Sequence, residues 1–298
     1  KNGMIGVIIH EVGHNFFPMI INSDERQWSW MDEGLNTFLE YLTETSFDPN
    51  FPATRGPAKN IVPYMKGNQK YLEPIMSNSE NIYNFGANAY GKPATGLNIL
   101  RETIMGRELF DYAFKEYARR WAFKHPTPAD FFRTMEDASG TDLDWFWRGW
   151  FYTTDFCDIA IEKVTPFVLQ YADKEKAIFE FIKTEEIQES DYKKYKEIQE
   201  YVDTLPNDQK KNLKSPKYFY QMEFSRPGKL IMPLLLTLVF EDGTLKEIRY
   251  PYMVWRLNEN RNLKKFFAFD KPLKEVRIDD NSETADIDIT NNIWKKTE

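Results

Sequence analysis

Residues 10–14 read His10-Glu11-Val12-Gly13-His14, and residues 30–34 read Trp30-Met31-Asp32-Glu33-Gly34. Two of the chain's three His fall in the first block, with a Glu directly after the first. On a helix, positions four apart stack on one face, so His10 and His14 can offer imidazole nitrogens to one ion. Glu11 sits about 100° further round, at the edge of that face, near the ion without ligating it. There its carboxylate can take a proton from an attacking water. Residues 15–32 leave room for a turn and a second helix that brings Glu33 back as a third ligand. Two His and one carboxylate leave the fourth position of a tetrahedral zinc ion open, which is the pattern of a catalytic site. The chemistry implied is that of a zinc hydrolase with one Zn2+ per chain.

Outward from this core, residues 3–17 read as a mostly apolar helix ended by Pro18. Apolar nearly all round, it is expected to be buried. From Ser29, the residues Leu35, Phe38, Leu39 and Leu42 recur at helical spacing and carry Glu33 with them. Glu40 shares the Glu33 face two turns on. It is either an acceptor that orients a ligand His or a solvated surface carboxylate. Residues 45–80, rich in Pro, Asn, Ser and Gly, suit loops and short helices. Tyr90 precedes a helical pattern of Leu97, Leu100 and Ile104.

Residues 108–124 form an amphipathic helix with Leu109, Phe110, Phe114, Tyr117 and Trp121 inward. Beside Pro126, His125 reads as a loop residue and not as a further ligand. Thr127 and Pro128 mark the next helix start, and Gly140 its stop. The aromatic run Trp145, Phe146, Trp147, Trp150 and Phe151 has the spacing of helical core packing.

At 42% hydrophobic and 16% aromatic residues, the chain is globular and not disordered. A net charge of −7 argues against nucleic acid or an anionic membrane as partner. A single cysteine, Cys157, excludes an internal disulfide, and no apolar run is long enough to span a bilayer. The character changes near Asp155. Strand-like runs follow at 160–164 and 177–182, then a mixed-charge helical segment at about 183–215. Residues 230–240 and 245–252, joined through Asp242-Gly243, form the clearest hairpin, with Pro233 placing its strand at an edge or near its start. Short strands at 266–269 and 276–278 follow, and residues 286–292 close as a terminal strand and turn.

The pentapeptide, the spacing to Glu33 and the Trp-Met-Asp-Glu-Gly block resemble the gluzincin zinc aminopeptidases, the family of aminopeptidase N and the leukotriene hydrolase. The usual second block there is Trp-Leu-Asn-Glu-Gly, from which Met31 and Asp32 depart. The resemblance runs, with falling specificity, from residue 1 to about residue 157. It implies His10, His14 and Glu33 as zinc ligands and Glu11 as general base. Tyr90 and Lys92 match the family's Tyr-x-Lys-Gly motif, whose Tyr hydrogen-bonds the oxyanion, and Pro93 replaces its Gly. The implied fold is α+β. The mainly helical C-terminal half of a thermolysin-like zinc peptidase domain occupies residues 1–157. A small β-sandwich-like domain with the charged insertion occupies 158–298.

The implied activity is removal of N-terminal residues from peptides. In that family a sheet and an amine-binding loop precede the first helix, so the chain is expected to be the C-terminal piece of a longer enzyme. The N-terminal part would be its partner and would carry any signal peptide. Two alternatives stand beside this reading: a non-peptidase hydrolase on the same fold, such as an epoxide hydrolase, and a catalytically incompetent binding or structural module.

Overall fold

The computed structural model describes residues 2–173, 178–181, 204–206, 218–256 and 262–296. Helices fill the first half: α1 (Asn2–Gly13), α2 (Leu35–Phe47), α3 (Ala58–Met65), α4 (Lys92–Ile99), α5 (Arg107–Trp121), α6 (Pro128–Ser139) and α7 (Asp144–Tyr152). Strands fill the second: β1 (Ala160–Asp173), β2 (Ile178–Phe181), β3 (Tyr218–Ser225), β4 (Leu234–Phe240), β5 (Leu245–Tyr250), β6 (Asn262–Phe269), β7 (Leu273–Ile278) and β8 (Ile293–Lys295). The fold is α+β.

Local chemistry sets the helix limits. α6 begins with a capping box in which Thr127 and Asp130 satisfy each other's backbone N–H groups, with Pro128 in the first turn. It ends at Gly140, whose φ of 64° is the left-handed conformation that glycine adopts without strain. α5 buries Phe110, Ala113, Phe114 and Tyr117, the one-face spacing of an amphipathic helix. Leu109, expected to point inward, is exposed because it lies on the flank of that stripe, about 100° round from Phe110.

Trp30 anchors the helical core. It stacks on Phe132 with ring centroids 5.7 Å apart and meets Phe151 edge-on at 4.9 Å. α7 contributes Phe146, Trp147, Trp150 and Phe151, all buried, so its aromatic run is packing and not a ligand surface.

The strands form two antiparallel four-stranded sheets, in the orders β2-β1-β3-β6 and β5-β4-β7-β8. The β4–β5 hairpin closes from the Val239–Leu245 pair through Gly243, which has a φ of 82°. Pro233 stands immediately before β4, so this fully buried inner strand keeps its ladder donors. The sheets meet where Phe240 of β4 touches Phe269 of β6, with centroids 5.3 Å apart. Trp145 of α7 stacks on Tyr252 at 3.9 Å, joining the helical part to the sheets.

α1 departs from expectation. It buries Gly6 and His10, while Met4, Val7, Ile8 and Val12 are exposed. Its principal neighbour is α2, which covers one face and leaves the other apolar face uncovered among the described residues. The α-helical bonding ends at Gly13, and a widened turn, Asn15–Ile20, carries the chain to the break at Phe17 and Pro18, whose dihedrals are non-helical. The charged segment expected at about 183–215 lies outside the described residues, apart from 204–206.

Candidate metal centre

The space between α1 and α2 is cleared by glycine. A Cβ on Gly6 would stand 2.9 Å from Glu44 Oε1, and one on Gly13 would collide with Asn36 Oδ1. Small residues therefore let α1 rest on the polar stripe Asn36, Glu40 and Glu44 of α2. Asn36 Nδ2 donates to His10 O at 2.8 Å, fixing α1 at the level of the imidazole.

Glu33 and Tyr90 both stand on widened, π-type turns. Trp30–Gly34 runs into α2, and Gly86–Gly91 runs into α4. Such a turn carries an extra residue and re-aims the side chains on it, a feature frequent at functional sites. Gly34 lets the two turns touch, since a Cβ there would lie 2.5 Å from Pro93 Cγ and 2.9 Å from Ala89 O. Pro93 thus packs directly on the turn that holds Glu33.

The structure brings His10, His14 and Glu33 together, with one ligand atom of each within 4.8 Å of the others. His10 Nε2 is 3.0 Å and His14 Nε2 3.5 Å from the same oxygen, Glu33 Oε2. The outer nitrogens are occupied elsewhere. His10 Nδ1 is 3.0 Å from Glu40 Oε2, and His14 Nδ1 donates to Phe17 O at 2.9 Å. With both Nδ1 atoms engaged by other acceptors, the Nε2 atoms are the ones turned toward Glu33, the orientation that ligand imidazoles take from such partners. Two imidazoles and one carboxylate, part-buried and convergent, suit a divalent ion such as zinc. Glu11 follows His10 on α1 with its side chain exposed.

Electrostatics follow from this crowding. Hydrogen bonds to Glu33 and then Glu40 push His10 up to about 9, against the effect of burial. Burial opposes ionisation of Glu33, but hydrogen bonds with His10 and Tyr90 hold it below the usual carboxylate range. Asp32 is pushed up to about 7 by burial and by the neighbouring Glu33 charge. Its Oδ1 lies 3.0 Å from His14 Nδ1, although Phe17 O takes the well-aligned hydrogen bond. The departure at position 32 from the usual Asn therefore sets a second carboxylate against His14.

Tyr90 joins the cluster. Its ring stacks on His10 at 5.7 Å, and burial together with its hydrogen bond to Glu33 pushes the phenol well above 10. Two residues on, Lys92 is buried and its Nζ donates to Thr153 O at 3.1 Å, just past α7. Trp150 Nε1 returns a bond to Lys92 O at 2.8 Å, tying the start of α4 to α7.

Burial lowers Lys92 from 10.5 to about 8. Above pH 8 the folded chain has released a proton that the unfolded chain keeps up to 10.5, so this residue's contribution to stability rises with pH across that window. Denaturant unfolding should show the chain gaining about 3 kcal/mol relative to Lys92→Met over that interval. Parallel pH profiles for the two proteins would contradict the assignment.

His125 stands apart, with its Nδ1 3.1 Å from Asn22 O in an exposed loop. Sequence reasoning missed Asn36, Glu44 and the role of Asp32. The signal for the first two was present in the spacing Glu33, Asn36, Glu40, Glu44, one polar face of a helix opposite Gly6 and Gly13.

The helical fold thus carries a donor set suited to a divalent ion. Residues 1–150 match the peptidase family M1 domain, and the chain belongs to that family. It is 24% identical over 145 residues to aminopeptidase M1-C of Oryza sativa subsp. japonica, covering 47% of this chain and 16% of that protein. It is 23% identical over 156 residues to aminopeptidase N of Streptomyces lividans, covering 49% and 18%. The chain thus spans less than a fifth of the length of these relatives. The crystal structure of Legionella pneumophila aminopeptidase A in complex with aspartic acid shares the fold over 95% of this chain and 26% of that one. The TM-score is 0.56 and the sequence identity 14%.

Proposed function

We propose that this chain carries the zinc centre of an aminopeptidase, with His10, His14 and Glu33 as ligands and residues 1–157 as the catalytic part. One observation carries the reading: both Nε2 atoms face a single Glu33 oxygen while both Nδ1 atoms are held by other acceptors. When bound, zinc supplies Lewis acidity toward a water and the scissile carbonyl.

The chain's own residues do the rest. Glu11, beside His10 and exposed to solvent, takes a proton from the attacking water and returns it to the leaving amine. Tyr90 keeps its proton because its phenol is pushed up, so it is a hydrogen-bond donor for the carbonyl oxygen as negative charge builds there. Glu40 fixes the His10 ring through Nδ1. Release of N-terminal residues is supported by the relatives' names, both aminopeptidases. Among the described residues no helix is long and apolar enough to cross a membrane.

The test is hydrolysis by the zinc-loaded protein of a peptide with a free N-terminus beside its N-acetylated form, followed by mass spectrometry. Stepwise loss of N-terminal residues from the free peptide alone, stopped by a zinc chelator, is expected. Internal cleavage of both peptides would overturn the exopeptidase assignment, and cleavage untouched by the chelator would overturn the zinc mechanism.

A further inference from the structure

Arg55 lies in the connection between α2 and α3, and the chain fixes it there. Gly56 turns with a φ of 100°, and a Cβ on it would run into the Tyr41 ring. Asn60 Nδ2 donates to Ala53 O at 3.2 Å, closing the loop onto α3. The Arg55 guanidinium carbon sits 4.6 Å from the centre of the Tyr90 ring, and Nη2 passes over Gly86.

The contact holds the guanidinium against the ring, and none of its N–H groups has a hydrogen-bond partner among the described residues. Among the described residues no carboxylate oxygen lies within 4.0 Å of its nitrogens. The arginines of α5 show the contrast, since Arg119 and Arg120 both pair with Glu116. A part-buried cation without a counter-charge, in a chain of net charge −7, is a place prepared for an anion from outside.

We infer that Arg55 is a specificity-determining residue that binds a carboxylate of the peptide substrate, within one or two residues of the bond that is cut. The distance follows from chain geometry. An extended peptide advances about 3.3–3.6 Å per residue. A guanidinium 4.6 Å from the Tyr90 ring centre therefore stands within one or two residues of a carbonyl held at the phenol. The planar fork matches a carboxylate with two parallel hydrogen bonds. Two sources offer that group: an acidic side chain, or the C-terminal carboxylate of a very short peptide. The inference rests on the proposed peptidase site, because Tyr90 places Arg55 relative to the reacting carbonyl.

Three matched pairs separate the sources: Glu-Ala-amide against Gln-Ala-amide, Ala-Glu-amide against Ala-Gln-amide, and Ala-Ala against Ala-Ala-amide. For at least one pair, kcat/KM should favour the carboxylate by about tenfold or more. That ratio should fall toward one in Arg55→Gln and be partly kept in Arg55→Lys. The pair that responds names the source. No carboxylate preference in any pair, or a preference untouched by Arg55→Gln, would overturn the inference. If no peptide is cut, the proposed hydrolysis falls, and calorimetric binding of the same pairs decides the Arg55 question alone. Carboxylate-dependent binding lost in Arg55→Gln would uphold it, and its absence would overturn it.

Discussion

Glu11→Gln is expected to lower kcat for peptide hydrolysis by about 10²–10⁴-fold while leaving bound zinc in place. The substitution keeps the size and hydrogen-bonding reach of the side chain and removes its basicity. Glu11 is exposed and lies on α1 between His10 and His14 without being part of the three-residue donor cluster, so metal content should not follow activity. A merely structural Glu at an exposed helix position would change stability by a few tenths of a kcal/mol and leave turnover alone. Steady-state kinetics beside elemental analysis on one preparation separates the cases. Full activity in Glu11→Gln would remove it as the base, and loss of zinc together with activity would make it part of the metal site.

Tyr90→Phe should lower kcat by about 10²–10³-fold with a much smaller change in KM. Phenylalanine keeps the ring that stacks on His10 at 5.7 Å and lies under Arg55 at 4.6 Å, so the change is confined to the hydroxyl. A donor aimed at charge that develops during the reaction acts on the transition state more than on the bound ground state, hence the expected split. A rise in KM with kcat unchanged would assign Tyr90 to substrate binding. No change in either would leave its hydrogen bond to Glu33 as a structural tie.

The parts of this molecule that could be read from sequence are those governed by short-range periodicity. Four-residue spacing puts His10 and His14 on one helix face, and Glu40 falls on the Glu33 side of α2 by the same rule. Thr127, Pro128 and Gly140 mark the ends of α6 because caps and stops are local chemistry. The packing of the widened turns under Glu33 and Tyr90 was not legible, since it brings Gly34 against Pro93 across 59 positions of sequence, from 34 to 93. Arg55 was equally hidden, because its relation to Tyr90 exists only once a loop and a helix start are brought together. The apolar sequence of α1 was misread as full burial. Hydrophobic periodicity tells which faces can be covered, and packing decides which are.

The most direct test of the account is zinc content by elemental analysis after exhaustive dialysis, for the protein and for His14→Ala. The convergence of His10, His14 and Glu33 predicts about one zinc per chain, with the ion lost from the variant. Equal zinc in both proteins, or none in the unaltered one, would contradict the three-ligand centre on which the proposed function stands.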